Sequence, residues 1–205
     1  HIQDVEALQT TLRVVADSDI RAVFKQVQYQ VDVNASPAEY GLVNEPSETY
    51  TYGEYVTLSA SPHIGKQFDE WVSLENLSLD DPEDRFKKSA NFKVLGHANA
   101  QAKFSRIVLD LEIQLLSLDQ NNQAILGDIG ASVSRPEIVY HGDSVTLALT
   151  PLTGYTFLYW VDLDSGQIVT TQKNFTISIT TARNFQAVLR KKFYQLDVSA
   201  NQGGT

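Results

Sequence analysis

Residues 52–71 read YGEYVTLSASPHIGKQFDEW, and residues 140–160 read YHGDSVTLALTPLTGYTFLYW. From Gly53 and Gly142 onward the two stretches align without a gap, at an offset of 89 residues. Val56 falls on Val145, Leu58 on Leu147, Pro62 on Pro151, Gly65 on Gly154, Phe68 on Phe157 and Trp71 on Trp160. The last pair are the only tryptophans of the chain. Self-similarity at a regular spacing marks a repeat architecture.

The repeat extends outward on both sides. YQVDVNA from Tyr29, LDLEIQL from Leu109 and YQLDVSA from Tyr194 share one alternating pattern, at offsets of 80 and 85. TLRVVADSDIRAVF, NFKVLGHANAQAKF and FTISITTARNFQAVL close successive copies at Phe24, Phe104 and Leu189, again 80 and 85 apart. About nine residues enter the second complete copy around LDQNNQAILGDIG, and about four are lost after its tryptophan. The predicted organisation has two complete repeats, 25–104 and 105–189. Before them, residues 1–24 read as the C-terminal part of a preceding repeat; after them, 190–205 read as the first strand of a following one. A period of 80–85 residues lets each copy enclose its own core, unlike short solenoid repeats that must stack to fold.

Within each copy the apolar pattern has a period of two, the strand period. Val31 and Val33 share one face, while Gln30, Asp32 and Asn34 share the other. YVTLSAS, SVTLALT and NFTISIT alternate in the same way. Gly53 and Gly142 supply a turn just before a strand. Pro62 and Pro151 end that strand, because proline cannot donate to a ladder. The fold class predicted is all-β: tandem small modules of five to six short strands each, with little helix. DVEALQTTLRVVAD, from Asp4, has the best helical pattern, but it aligns with the strand-like FTISITT.

Composition narrows the function classes. With 16 Lys and Arg against 25 Asp and Glu, the net charge is −9, and RKKF at Arg190 is the one basic cluster. Nucleic acid is therefore not an expected partner, since phosphate binding needs a basic face. The absence of cysteine removes disulfides, thiol catalysis and cysteine-ligated zinc. No run of 18 apolar residues occurs, so no membrane-spanning helix is expected. Methionine is absent and no signal peptide opens the sequence, which reads as an excised piece of a longer protein.

The order of elements is an opening Y-x-V/L-x-V strand, a glycine before V-T-L, a Pro and Gly turn, F-x-x-W, and a closing A-x-F. This resembles the divergent internalin B-type repeat family of bacterial surface proteins, over essentially the whole chain. The resemblance implies a β-grasp-like module with a reduced or absent helix, in tandem spacer or adhesive segments. It brings no catalytic residues. Leu189 departs from the pattern in place of phenylalanine, a volume-similar exchange.

Candidate residues fall into three groups. Phe68, Trp71, Phe157, Trp160, Phe104 and Phe24 are expected as core anchors, because they recur in register; the competing reading is an exposed platform for stacking on sugars. DLDSG, with Asp162 and Asp164, and LDDPEDR, with Asp80, Asp81 and Asp84, carry the oxygen ligands that a hard cation such as calcium takes. Neither recurs in the other copy or has the full ligand spacing, so solvated loops without a cofactor are expected. His63, His97 and His141 occupy non-equivalent positions without metal-ligand spacing. No nucleophile elbow, zinc-protease, P-loop or dinucleotide motif occurs.

The function expected is therefore a non-catalytic tandem-repeat segment of a large bacterial cell-surface protein, a stalk, spacer or filament-like element. Its partners would be other repeats of the same protein, and other surface proteins or glycans. The alternatives are a glycan- or ligand-binding module using the loops after each tryptophan, or an accessory region of a secreted enzyme.

Overall fold

A computed structural model describes residues 11, 13–17, 19, 21, 23–46 and 48–199. Five strands build the first repeat: β1 (Val31–Ser36), β2 (Gly41–Val43), β3 (Tyr55–Pro62), β4 (Lys66–Ser78) and β5 (Ser89–Arg106). Nine follow: β6 (Val108–Leu109), β7 (Leu111–Leu118), β8 (Ala131–Ser134), β9 (Val139–Tyr140), β10 (Asp143–Pro151), β11 (Tyr155–Asp162), β12 (Gln167–Thr170), β13 (Asn174–Ile179) and β14 (Arg183–Lys191). The helical content among the described residues is two short 3₁₀ turns, Ala38–Tyr40 and Pro82–Phe86. The fold is all-β, in tandem modules.

Each repeat brings its first strand parallel to its last. β1 lies beside the C-terminal half of β5, Val31 opposite Ala98 through Ser36 opposite Lys103. β7 lies beside β14, Leu111 opposite Arg183 through Arg190 opposite Leu118. The remaining pairs are antiparallel: β3 with β5 and β10 with β13, then β4 with β5 and β11 with β14. Parallel neighbours need a long crossover, and the rest of the repeat supplies it.

Two separate cores result. The first gathers Val31, Val33, Val56, Leu58, Trp71, Phe92, Val94 and Phe104. The second gathers Leu111, Val145, Leu147, Trp160, Ile179, Phe185 and Leu189. The period-two pattern explains the membership: Val31 and Val33 are buried while Asp32 is exposed. Gly53 and Gly142, at φ of +88° and +86°, make the turns before β3 and β10. That region of backbone space favours glycine.

The closing segment of the first repeat is one 18-residue strand, the longest of its module. Ala90, Phe92 and Val94 and then Ala98, Ala100, Ala102 and Phe104 are buried on alternate positions, with Gly96 as the interruption between the two runs. The expectations for the two ends need correction: Arg190 and Lys191 complete β14, opposite Leu118 and Tyr155, and no ladder forms among the described residues of 1–24 or beyond Lys191. Phe24, expected as a buried anchor, is 90% exposed, because no strand forms among the described residues before Val31 to give its ring a face. The strand expected from Tyr194 does not form among the described residues 194–199, since a lone strand has no backbone partners. The helical candidate and the rest of the 1–24 segment lie partly on residues 1–10, 12, 18, 20 and 22, and the 190–205 segment partly on 200–205, outside the described residues.

Candidate functional sites

Trp71 and Trp160 are 1% and 0% exposed and occupy matching positions. Trp71 lies opposite Ala102 on β5, and Trp160 opposite Ala187 on β14. Phe68 lies opposite Phe104, and Phe157 opposite Leu189, so Leu189 fills the position of the closing phenylalanine. The two Phe–Trp ring pairs are alike, 5.5 Å and 56° in the first repeat, 6.0 Å and 53° in the second. Residues i and i+3 of a regular strand face opposite ways. Here a register shift between Phe68 and Glu70, and again between Phe157 and Tyr159, adds one residue and turns both rings to the same side. The F-x-x-W spacing is thus the signature of a β-bulge. Both indole N–H groups donate to the loop before the closing segment (β5 in the first repeat, β13 and β14 in the second), Trp71 to Lys87 O at 3.0 Å and Trp160 to Lys173 O at 3.2 Å. Two loops of unrelated sequence are tied down by the same bond.

The acidic loops spend their carboxylates on the fold. Asp162, 8% exposed, accepts from the backbone N–H of Asp164 (2.9 Å) and Ser165 (3.1 Å), and from Arg183 Nη1 at 3.0 Å. Asp164 accepts from the backbone and side chain of Asn184. Together they shape the β11–β12 turn and fasten it to β14. Asp80 accepts the Tyr55 hydroxyl, Asp81 accepts Glu83 N at 3.0 Å, and Asp84 pairs with Lys87. No three His, Asp or Glu side chains among the described residues converge in a metal-binding group.

The histidines are also separate. His63 Nδ1 lies 3.0 Å from Glu39 O, and His97 Nδ1 accepts Gln30 N at 3.3 Å. His141 lies between the repeats. Two surface grooves, of about 500 and 300 Å³, run along the open edges of the first strands. One is lined by Val31–Asn34, Glu45 and Pro46, the other by Val108–Glu112, Arg135 and Glu137.

Sequence reasoning missed two constellations. The first is the joint between the repeats. β5 ends at Arg106, and β6 pairs at once with β9 of the second repeat, Val108 opposite Tyr140 and Leu109 opposite Val139. Ile107 N donates to Gly65 O (3.1 Å), and His141 N donates to Ile107 O (2.9 Å). The Arg106 guanidinium lies 3.9 Å from the Tyr140 ring centroid and is ion-paired with Asp143. Asp143 also accepts Tyr140 N at 3.0 Å. That bond, then the charges of Arg106 and Lys66, hold its carboxyl below the usual range against partial desolvation.

The second constellation fastens the inserted loop, residues 119–130. Tyr155 donates to Asp128 Oδ1 at 2.5 Å, Lys191 Nζ lies 3.4 Å from Asp128 Oδ2, and Arg190 Nη2 donates to Asn122 Oδ1 at 2.6 Å. The hydroxyl bond, joined by the Lys191 charge, lowers the Asp128 carboxyl; the bond to Asp128 raises Tyr155, and Tyr155 and then Asp128 raise Lys191. The sequence shows these residues but not their meeting, because Arg106 and Asp143 or Asp128 and Lys191 are far apart along the chain.

Parallel first and last strands, a bulge-borne aromatic pair and a turn-mediated joint define a tandem β-grasp-like module without a long helix. The sequence matches the divergent InlB B-repeat domain twice, over residues 31–108 and 123–192, well over half of the chain. The chain belongs to that family. No curated protein matches it significantly.

Proposed function

We propose that this chain is a non-catalytic, load-bearing spacer segment of a larger bacterial cell-surface protein, working outside the cell. Membership of the InlB B-repeat family supports the surface setting. The observation that carries the mechanical reading is the parallel pairing of first and last strand in both repeats. A tether enters each repeat ahead of its first strand and leaves after its last. Tension therefore pulls these neighbouring strands in opposite directions along their length. Every hydrogen bond between them is loaded at once, in shear, instead of one after another.

No flexible linker takes up the load between repeats. Linkers rich in Gly and Ser behave as loose coils, whereas here the closing strand of one repeat runs directly into the joint with the next. Both tryptophans are buried, and Asp80, Asp81, Asp84, Asp162 and Asp164 are bonded within their own repeats, which supports a structural use of these segments.

Single-molecule stretching of the chain should give two separate unfolding events. The second repeat, whose parallel ladder registers eight residue pairs against six in the first, should resist the higher force. One cooperative rupture, or peeling at low force, would exclude this function.

A further inference from the structure

We propose that Arg106 is an orientation latch that sets the angle between the two repeats, with the turn Tyr140–Asp143 of the second repeat as its docking surface. Short ladders permit twist and splay. The two-residue β6–β9 pairing and the bonds through Ile107 bring the repeats together without fixing their relative rotation. Arg106 adds a plane and a charge. Its guanidinium lies on the Tyr140 ring and pairs with Asp143, and Asp143 is itself held by Tyr140 N. A planar cation that both stacks and pairs resists rotation in a way that a point charge does not. Close packing reinforces it: a Cβ on Gly65 would come within 2.7 Å of His141 Nδ1.

The docking surface is built into the repeat rather than made by the contact. In the first repeat the equivalent turn is already formed, with Glu54 Oε2 accepting Thr51 N at 2.5 Å, as Asp143 accepts Tyr140 N. Glu54 forms no ion pair among the described residues. The cation arriving from the preceding strand is thus the added element, and the turn is its standing receptor. At the place equivalent to Arg106 the second repeat has Lys191, which is turned to Asp128 and Tyr155 of its own repeat. The latch is a property of this joint, and it stands whether or not the chain bears load.

The cysteine-free sequence suits spin labelling. Labels at Glu83→Cys and Gln172→Cys, on exposed sites of the two repeats, report the distance between them by double electron–electron resonance. The native chain should give one narrow distribution. Arg106→Ala should broaden it at least twofold, and Arg106→Lys should fall between the two. Tryptophan emission should stay native throughout, because Arg106 belongs to neither core. An Arg106→Ala distribution as narrow as the native one would overturn the latch, as would a native distribution already broad. Either result would leave the two-event stretching prediction standing.

Discussion

The first repeat folds as a single five-stranded sheet, whereas the second divides the same strand plan between a three-stranded and a four-stranded sheet. The division falls at residues 180–182, between β13 and β14. At the corresponding place in the first repeat, β5 runs through Leu95–His97 without interruption, and β4 follows it past the bend, with Leu77 opposite Val94. In the second repeat the chain turns back at Asp162 into β12, so no strand spans the gap. A loop change after the tryptophan thus decides whether the sheet is continuous, while the core beneath it stays closed in both.

The cores conserve volume by exchanging positions. Gly41 leaves room for the Phe104 ring, whose carbons would stand 2.6 Å from a Cβ there. The second repeat has Ala131 and Leu189 at the equivalent places, a larger residue facing a smaller one. Tyr40, with Lys66 over its ring, gives way to Gly130, and the ring is supplied instead by Tyr155, at the position of Lys66. Interiors packed to crystal-like density tolerate such paired changes better than single ones.

The largest effect should come from the shared anchors. Trp71→Ala and Trp160→Ala should each cost about 3–5 kcal/mol, and each should unfold its own repeat alone. Urea titrations followed by the remaining tryptophan test this; loss of both repeats from one substitution would show that the cores are not independent. A smaller effect tests the volume exchange. Gly41→Ala should destabilise the first repeat by about 1–3 kcal/mol through overpacking. Adding Phe104→Leu, which recreates the pairing of the second repeat, should recover part of the loss. Two independent costs that merely add would refute the exchange.

The smallest effect is expected at alkaline pH. Tyr155 is raised by its bond to Asp128, with partial burial adding, and Lys191 is raised by bonds to Tyr155 and Asp128. Groups raised on folding lend stability that is complete below their unfolded values, about 10 for both, and that is lost as pH rises through their folded values. Asp128 is lowered by the same contacts, so its share is present above the ordinary carboxylate range and disappears as acid protonates it. Melting curves between pH 8 and pH 11, on the order of the tyrosine and lysine values, should therefore show the second repeat losing stability, and the first repeat as well, where Tyr55 is raised by its bond to Asp80 and Lys87 by its bond to Asp84. Tyr155→Phe should reduce the loss in the second repeat and leave that of the first unchanged.

Much of the fold was legible in the chain itself. The period-two runs marked the strands, Gly53 and Gly142 marked the turns, and the two in-register tryptophans marked equivalent positions, because local sterics and apolar burial write directly into neighbouring residues. The F-x-x-W spacing was legible as a motif but not as a bulge, since strand periodicity alone would have set its two rings on opposite faces. Tertiary structure alone decided which long-range partners meet: Arg106 with Asp143, Asp128 with Lys191, and Asp162 with Arg183. It also decided that Phe24, Tyr194, Leu196 and Val198 lie exposed. Charge pairs between distant strands leave no periodic trace, and an apolar residue is buried only where a neighbouring ladder gives it a face.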